Sequence, residues 1–170
     1  MEKVLVKCTI NDRPVEAYVD PRASLTDMLR GDFRLHSVKE GCQVGECGAC
    51  TVIIDGENFN ACIYLAIWAN GKHIRTLEGL ETGDGGITPL QQAFIDAGAV
   101  QCGFCIPGMV MCAKGLIDQN PDPTRLEVVA AIRNNICRCT GYKKIIEGIL
   151  LSAKIFRENL PVHEESGVVN

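Results

Sequence analysis

The chain has 170 residues, of which 46% are hydrophobic, and its formal net charge is −4. This apolar content is sufficient for a packed core and excludes an intrinsically disordered chain. The acidic balance excludes a nucleic-acid-binding protein, because contact with phosphates requires a basic surface.

No apolar stretch approaches the roughly 20 residues that a membrane-spanning helix requires, and the amino terminus lacks the apolar run of a signal peptide. We therefore expect a cytoplasmic protein without a membrane span. In that compartment the ten cysteines would stay reduced, so metal binding explains them better than disulfide bonds do.

The first part of the chain is predicted to be a mixed β-sheet with one short helix. Hydrophobic residues alternate with polar ones in short segments, which indicates strands with one buried face. Ser24 is a suitable N-cap for a short helix that ends at Gly31. The predicted strands are residues 4–10, 15–19 and 51–54.

After residue 79 the hydrophobic period becomes helical, which predicts four helices in a small bundle. Thr88, Thr124 and Thr140 are predicted as N-caps of three helices, and Pro107 as the first residue of another. The helix after Thr124 has a predicted apolar face of its own. That face comprises Leu126, Val129 and Ala130.

The chain is thus predicted to contain two domains, residues 1–79 and residues 80–158. Residues 81–86 are rich in glycine and polar side chains, so we expect a linker there. Residues 159–170 are predicted to be a polar carboxy-terminal tail.

Four cysteines of the first domain follow the spacing C-x4-C-x2-C, with a fourth cysteine further on. This is the pattern of a plant-type 2Fe–2S loop. Gly41, Gly45 and Gly48 alternate with these cysteines, so backbone N–H groups can approach the sulfur atoms. A zinc site is the alternative, but zinc knuckles use paired C-x2–4-C units, and the pattern favours iron–sulfur. The first quartet is Cys42, Cys47, Cys50 and Cys62.

A second quartet combines Cys102 and Cys105, spaced C-x2-C, with Cys137 and Cys139, spaced C-x-C. Both pairs precede predicted helices, whose amino-terminal partial positive charge favours thiolate. The spacing alone leaves zinc open as the ligand of this quartet.

Two quartets on unlike scaffolds favour a protein that moves single electrons between two sites. The two remaining cysteines, Cys8 and Cys112, lie on apolar faces of a predicted strand and helix, so we expect them in the core. Two other classes of protein stay open on these residues alone. One is a free-standing diffusible ferredoxin, and the other is a zinc-stabilised interaction module without redox activity.

Three motifs occur in order along the chain: GCQVGECGACTV at residues 41–52, QCGFCIPG at residues 101–108 and CRCTGY at residues 137–142. Together they resemble the small iron–sulfur subunit of the molybdenum hydroxylases. That family includes xanthine dehydrogenase, nicotinate dehydrogenase, aldehyde oxidoreductase and aerobic carbon monoxide dehydrogenase. The resemblance covers about residues 3–157. Within the family, the chain is most similar to the iron–sulfur subunit of bacterial xanthine dehydrogenase.

The resemblance implies an α+β chain, in which a ferredoxin-like β-grasp domain precedes an all-α four-helix domain. Each domain would bind one 2Fe–2S cluster, the first quartet holding the cluster nearer FAD and the second the cluster nearer molybdenum. Gln101 and Cys139 would contact the pterin of the molybdenum cofactor. One departure is Asn134-Asn135, where the family usually has Gly-Asn; asparagine also tolerates left-handed backbone.

The partners implied by the resemblance are a large molybdopterin-binding subunit and a medium FAD-binding subunit, in a heterotrimer or its dimer. The chain itself would hold no catalytic residue. It would pass electrons from the molybdenum–pterin site to FAD while the complex hydroxylates a purine such as xanthine or hypoxanthine. The same role in a nicotinate, aldehyde or carbon monoxide dehydrogenase is the alternative.

Overall fold

The computed structural model describes residues 2–80 and 86–159. The predicted linker lies outside the described residues except at Gly86, and so does the predicted tail apart from the backbone of Asn159. Among the helices of the described residues, none has both the length and the apolar character needed to cross a membrane.

The first domain contains a five-stranded mixed sheet. Its strands are β1 (Val4–Ile10), β2 (Arg13–Val19), β3 (Thr51–Ile54), β4 (Glu57–Asn60) and β5 (His73–Arg75). They lie in the order β2-β1-β5-β3-β4. Among the strands that the structure describes, only β1 and β5 pair in parallel. The mixed sheet is therefore confirmed, whereas β4 and β5 were not predicted.

Helix α1 (Leu25–Gly31) contributes Leu25, Met28 and Leu29 to the same hydrophobic core as the sheet, and it begins with a capping box. The Ser24 hydroxyl accepts the backbone N–H of Asp27 at 3.1 Å, and the Asp27 carboxylate accepts the backbone N–H of Ser24 at 2.8 Å. These two bonds satisfy N–H groups that have no partner within the helix. The N-cap predicted from the sequence is confirmed.

Within residues 86–159 the second domain contains four helices, as predicted. They are α2 (Pro89–Asp96), α3 (Ile106–Gln119), α4 (Arg125–Ala131) and α5 (Lys143–Asn159). Thr88 and Thr124 are N-caps with complete capping boxes. Pro107 is the second residue of α3 rather than the first.

Two predictions about the helices are wrong. Thr140 is not the N-cap of α5, because Gly141 and Tyr142 have φ values of +60° and +66° and the helix begins after them, at Lys143. In α4 the apolar residues Leu126 and Val129 are 80% and 43% exposed, and Ala130 is also exposed. The residues that α4 and its C-cap bury are Val128 and Ile132.

The two domains pack against each other through β3 and α3. Ile53 of β3 lies in the hydrophobic core of the helical domain, as do Leu80 and the half-buried Leu77. A second contact joins β4 to α3, where the Asn58 side-chain amide donates to the backbone oxygen of Cys112 at 3.3 Å. The domain boundary at residues 79 and 80 stays a prediction.

Candidate metal centres

The first quartet lies mainly in the loop between α1 and β3, which wraps closely around its sulfur atoms. The Cys42 sulfur accepts the backbone N–H groups of Val44 at 3.4 Å and Glu46 at 3.3 Å. The Cys47 sulfur accepts the N–H of Cys42 at 3.3 Å. The hydrogen bond from Val44 is the main reason that the pKa of Cys42 is lowered to about 6. The loop therefore stabilises a thiolate, as the glycine-rich sequence predicted.

The other two sulfur atoms of this quartet form a second pair. Cys50 is buried, and Cys62, which follows β4, is half-buried beside it. Burial raises the pKa of Cys50 to about 12, and contact with Cys62 and charge repulsion from Cys47 act in the same direction. Ionisation of the Cys50 thiol would therefore need a nearby positive charge, such as that of a bound metal.

The second quartet joins the start of α3 to the loop before α5. Burial, followed by contact with Cys137, raises the pKa of Cys105 to about 12. Burial also raises the pKa of Cys137, but hydrogen bonds led by the Thr140 hydroxyl, 3.1 Å from the sulfur, outweigh it and lower the pKa overall. A hydrogen bond with Cys102 raises the pKa of Cys139. The pairs are therefore Cys105 with Cys137, and Cys102 with Cys139.

The arrangement of the sulfur atoms suits a two-iron cluster better than a single metal ion. A tetrahedral zinc ion draws four ligands to one point, but in residues 2–80 and 86–159 no three His, Cys, Asp or Glu side chains converge as one ion needs. A 2Fe–2S cluster is bound by four cysteine thiolates divided between its two irons. Two neighbouring pairs in each quartet fit that requirement, and bound irons would supply the positive charge that four thiolates need.

One edge of the second quartet is open to solvent. Cys102 and Cys139 are exposed, whereas Cys105 and Cys137 are buried. Gln101, next to Cys102, is exposed as well. Contact of Gln101 and Cys139 with a pterin stays a prediction, and the exposure of both residues leaves room for it.

The expectation that both pairs of the second quartet lie at helix amino termini is half right. Cys105 is the N-cap of α3, where the helix dipole favours thiolate. Cys137 and Cys139 are separated from Lys143, the first residue of α5, by a turn. A negative charge on Cys137 is instead stabilised locally, by the Thr140 hydroxyl.

Sequence reasoning assigned no role to Tyr142, which organises the second quartet. Its phenolic oxygen accepts the backbone N–H of Cys137 at 2.9 Å and donates to the backbone oxygen of Asn135 at 3.2 Å. The available signal was the position of Tyr142 at the end of the third motif. The remaining cysteines are core residues as predicted: Cys8 is 8% exposed and Cys112 is 5% exposed.

Comparison with known proteins agrees with this geometry. Residues 8–67 match the 2Fe-2S iron-sulfur cluster binding domain, and residues 76–150 match the 2Fe-2S binding domain. The nicotinate dehydrogenase small FeS subunit of Eubacterium barkeri is 50% identical over 145 residues, which cover 85% of this chain and 92% of that protein. This chain belongs to the small iron–sulfur subunits of the molybdenum hydroxylases.

Further relatives extend the family match to the whole fold. The xanthine dehydrogenase iron-sulfur-binding subunit of Escherichia coli O157:H7 is 45% identical over 151 residues, covering 88% of this chain and 94% of that one. The crystal structure of quinoline 2-oxidoreductase from Pseudomonas putida 86 contains a chain with a TM-score of 0.88 and 40% identity. The match covers 94% of the iron–sulfur subunit described here and 99% of that chain. The predicted family and the α+β class, with a β-grasp domain before a helical domain, are both confirmed.

Proposed function

We propose that this subunit carries two 2Fe–2S clusters, one in each quartet, and passes single electrons from a molybdenum–pterin site to FAD. The observation that carries the proposal is the division of eight free cysteines between two separate sites, one in the loop before β3 together with Cys62, and one between the start of α3 and the loop before α5. When bound, such clusters accept and release one electron at potentials set by solvent exposure and by hydrogen bonds to sulfur.

The residues around the two quartets suit different positions in this sequence of transfers. The exposed edge formed by Cys102 and Cys139, with Gln101 beside it, suits the point where electrons enter from the pterin. In the first quartet Cys42, Cys47 and Cys62 are only half-buried, so this quartet can lie close to FAD. The chain therefore has one accessible quartet where electrons would enter and another where they would leave.

Exposed apolar side chains next to both quartets support the proposed partners. Val44 and Ile63 are 65% and 59% exposed beside the first quartet, and Phe104 and Ile136 are 49% and 55% exposed beside the second. Exposed apolar surface of this kind marks sites of protein association. In our proposal a medium FAD-binding subunit covers the first group and a large molybdopterin-binding subunit the second, in a heterotrimer or its dimer.

For the substrate of the complex we propose a purine such as xanthine or hypoxanthine, hydroxylated with oxygen from water. The xanthine dehydrogenase relative supports this choice at 45% identity. Nicotinate is the second candidate, because the nicotinate dehydrogenase relative is 50% identical. Both are nitrogen heteroaromatic compounds, so the proposed class of substrate is the same.

The experiment is anaerobic reduction of the purified complex by xanthine, hypoxanthine or nicotinate, followed through the visible absorbance of the iron–sulfur centres. We expect bleaching by one of these compounds in the wild-type complex. In Cys47→Ser, electrons should not reach flavin although molybdenum remains bound, and in Cys139→Ser the site nearer molybdenum should be damaged. Wild-type steady-state activity of either variant, at full occupancy of the complex, would contradict the proposal.

A further inference from the structure

A single backbone hydrogen bond joins the ligand loops of the two domains. The N–H of Ile136 donates to the backbone oxygen of Cys47 at 2.9 Å. Cys47 belongs to the first quartet, and Ile136 immediately precedes Cys137 of the second. The two candidate cluster sites are therefore connected by a path of covalent bonds and one hydrogen bond.

Asn135 holds this junction in place with its buried side chain, which is 3% exposed. Its side-chain amide donates to the backbone oxygen of Gly48 at 2.9 Å and lies 3.3 Å from the Thr51 hydroxyl. The Thr51 hydroxyl donates to the same Gly48 oxygen at 2.7 Å. The Asn135 backbone oxygen accepts the Tyr142 hydroxyl at 3.2 Å. Asn135 thus joins the ligand loop of the first quartet to the ligand loop of the second.

The junction is packed so closely that neither Gly48 nor Gly108 could carry a side chain without a shift of the backbone. Gly48 has a φ of +66°, and a Cβ atom there would lie 2.5 Å from the backbone oxygen of Asn134. A Cβ atom on Gly108 of α3 would lie 2.3 Å from the backbone oxygen of Gly48. Contacts this short require the backbone itself to move, so the spacing between the two loops is fixed from both sides.

We propose that Asn135 is a positioning residue for electron transfer between the two clusters, an inference that rests on the function proposed above. With both clusters bound, one electron would pass from the second quartet to the first along Cys137, the Ile136 backbone nitrogen and its hydrogen bond to the Cys47 oxygen. The cluster held by the second quartet would be oxidised by one electron and the cluster held by the first quartet reduced by one electron. No bond or proton would be exchanged.

A second asparagine provides a matched control. Asn58 also joins the two domains, donating from its side-chain amide to the Cys112 oxygen at 3.3 Å. Neither Asn58 nor Cys112 belongs to a quartet. Loss of the Asn58 bond therefore weakens the domain contact without touching either ligand loop.

The test compares Asn135→Asp with Asn58→Asp in the purified complex. An aspartate carboxylate has the shape of the amide but cannot donate to the Gly48 oxygen when ionised, so it opens the junction. We expect both variants to bind iron as wild type does. With both clusters reduced, the magnetic interaction between them in the electron paramagnetic resonance spectrum should weaken only in Asn135→Asp. Flavin reduction after substrate addition should also slow only in that variant.

A second pair of variants on α3 keeps the test decisive if Asn135→Asp does not assemble. Gly108→Ala places a methyl group against the Gly48 oxygen, whereas the nearest atoms to a Cβ atom on Gly115 would be those of the Asn58 side-chain amide, at 2.6 Å. We expect Gly108→Ala to weaken the magnetic interaction and Gly115→Ala to leave it unchanged.

Three results separate the possible failures. Wild-type magnetic interaction and flavin reduction in iron-loaded Asn135→Asp or Gly108→Ala would overturn the role of the junction. Failure of both to bind iron, with both controls loaded, would overturn it too, since the junction would then serve assembly alone. A wild-type complex without iron in this subunit would instead refute the proposed function.

Discussion

Removal of one hydroxyl group, in Tyr142→Phe, should selectively weaken the second quartet. The Tyr142 oxygen accepts the N–H of Cys137 and donates to the backbone oxygen of Asn135. Cys137 is 9% exposed, so water has little access to the donor that the substitution leaves without a partner. An unsatisfied buried polar group costs about 1–3 kcal/mol, which corresponds to a roughly 5–150-fold change in a local opening equilibrium.

The assay is the rate at which each cluster loses iron to an excess of chelator, followed by its reduced-state paramagnetic resonance signal. When opening and closing are fast relative to iron capture, this rate follows the population of the open state. We expect faster loss from the second quartet by about tenfold, the factor that 1.4 kcal/mol represents, and an unchanged rate from the first. Tyr18→Phe is the control, because Tyr18 is 64% exposed on β2. A wild-type rate in Tyr142→Phe, or equal acceleration at both quartets, would refute the reasoning.

Three other predictions concern residues around the sites. Cys112→Ala should keep the full iron content, since Cys112 is a core residue, whereas Cys47→Ser should lose one cluster; iron loss in Cys112→Ala would contradict this assignment. Burial raises the pKa of Glu78, but hydrogen bonds from Ser37 and Thr76 outweigh it and hold the pKa below its usual value of 4.5. The resulting stability is present above pH 4.5 and is lost as the pH falls through the lower folded-state pKa. Glu78→Gln should therefore destabilise the protein by about 1 kcal/mol at neutral pH, a value reduced by solvent screening of the half-buried group, and the thermal midpoints of variant and wild type should converge in acid. A difference between the two thermal midpoints that does not change with pH would contradict this prediction. Ser24→Ala removes the capping box of α1 and should cost about 1 kcal/mol; an unchanged thermal midpoint would count against that cap.

Local signals in the sequence were sufficient to predict much of the fold. The β1–β2 hairpin follows from alternating hydrophobic residues, and the starts of α1, α2 and α4 follow from capping residues whose bonds span three positions. The start of α5 could not be predicted in this way. Tyr142 has a left-handed backbone, and its hydroxyl bonds to Cys137 and Asn135, contacts that the sequence does not display.

The buried face of α4 was mispredicted for a related reason. Leu126 and Val129 follow helical spacing, yet Val128 and Ile132 are the residues that pack into the core. A short helix with apolar residues on more than one face can be oriented either way, and its neighbours decide which face is buried. Those neighbours are α3 and α5, and their position relative to α4 is set by the folded chain and cannot be read from the local sequence.

For the candidate sites, spacing identified all eight cysteines but not their arrangement. The C-x4-C-x2-C pattern brings Cys42, Cys47 and Cys50 into one loop. The C-x2-C and C-x-C spacings indicated the second quartet, and the family resemblance added that it would bind a 2Fe–2S cluster rather than zinc. The pairing of sulfur atoms and the contact between Ile136 and Cys47 depend on how the two domains pack. No local pattern links Asn135 to Gly48, because they lie in different domains.

The most direct test of two iron–sulfur sites is metal and acid-labile sulfide analysis of the isolated subunit, together with paramagnetic resonance after reduction. Our account predicts about four irons and about four sulfides per chain, in two distinguishable reduced centres. A folded, colourless subunit that contains zinc instead of iron, and that still supports electron transfer in the complex, would contradict it.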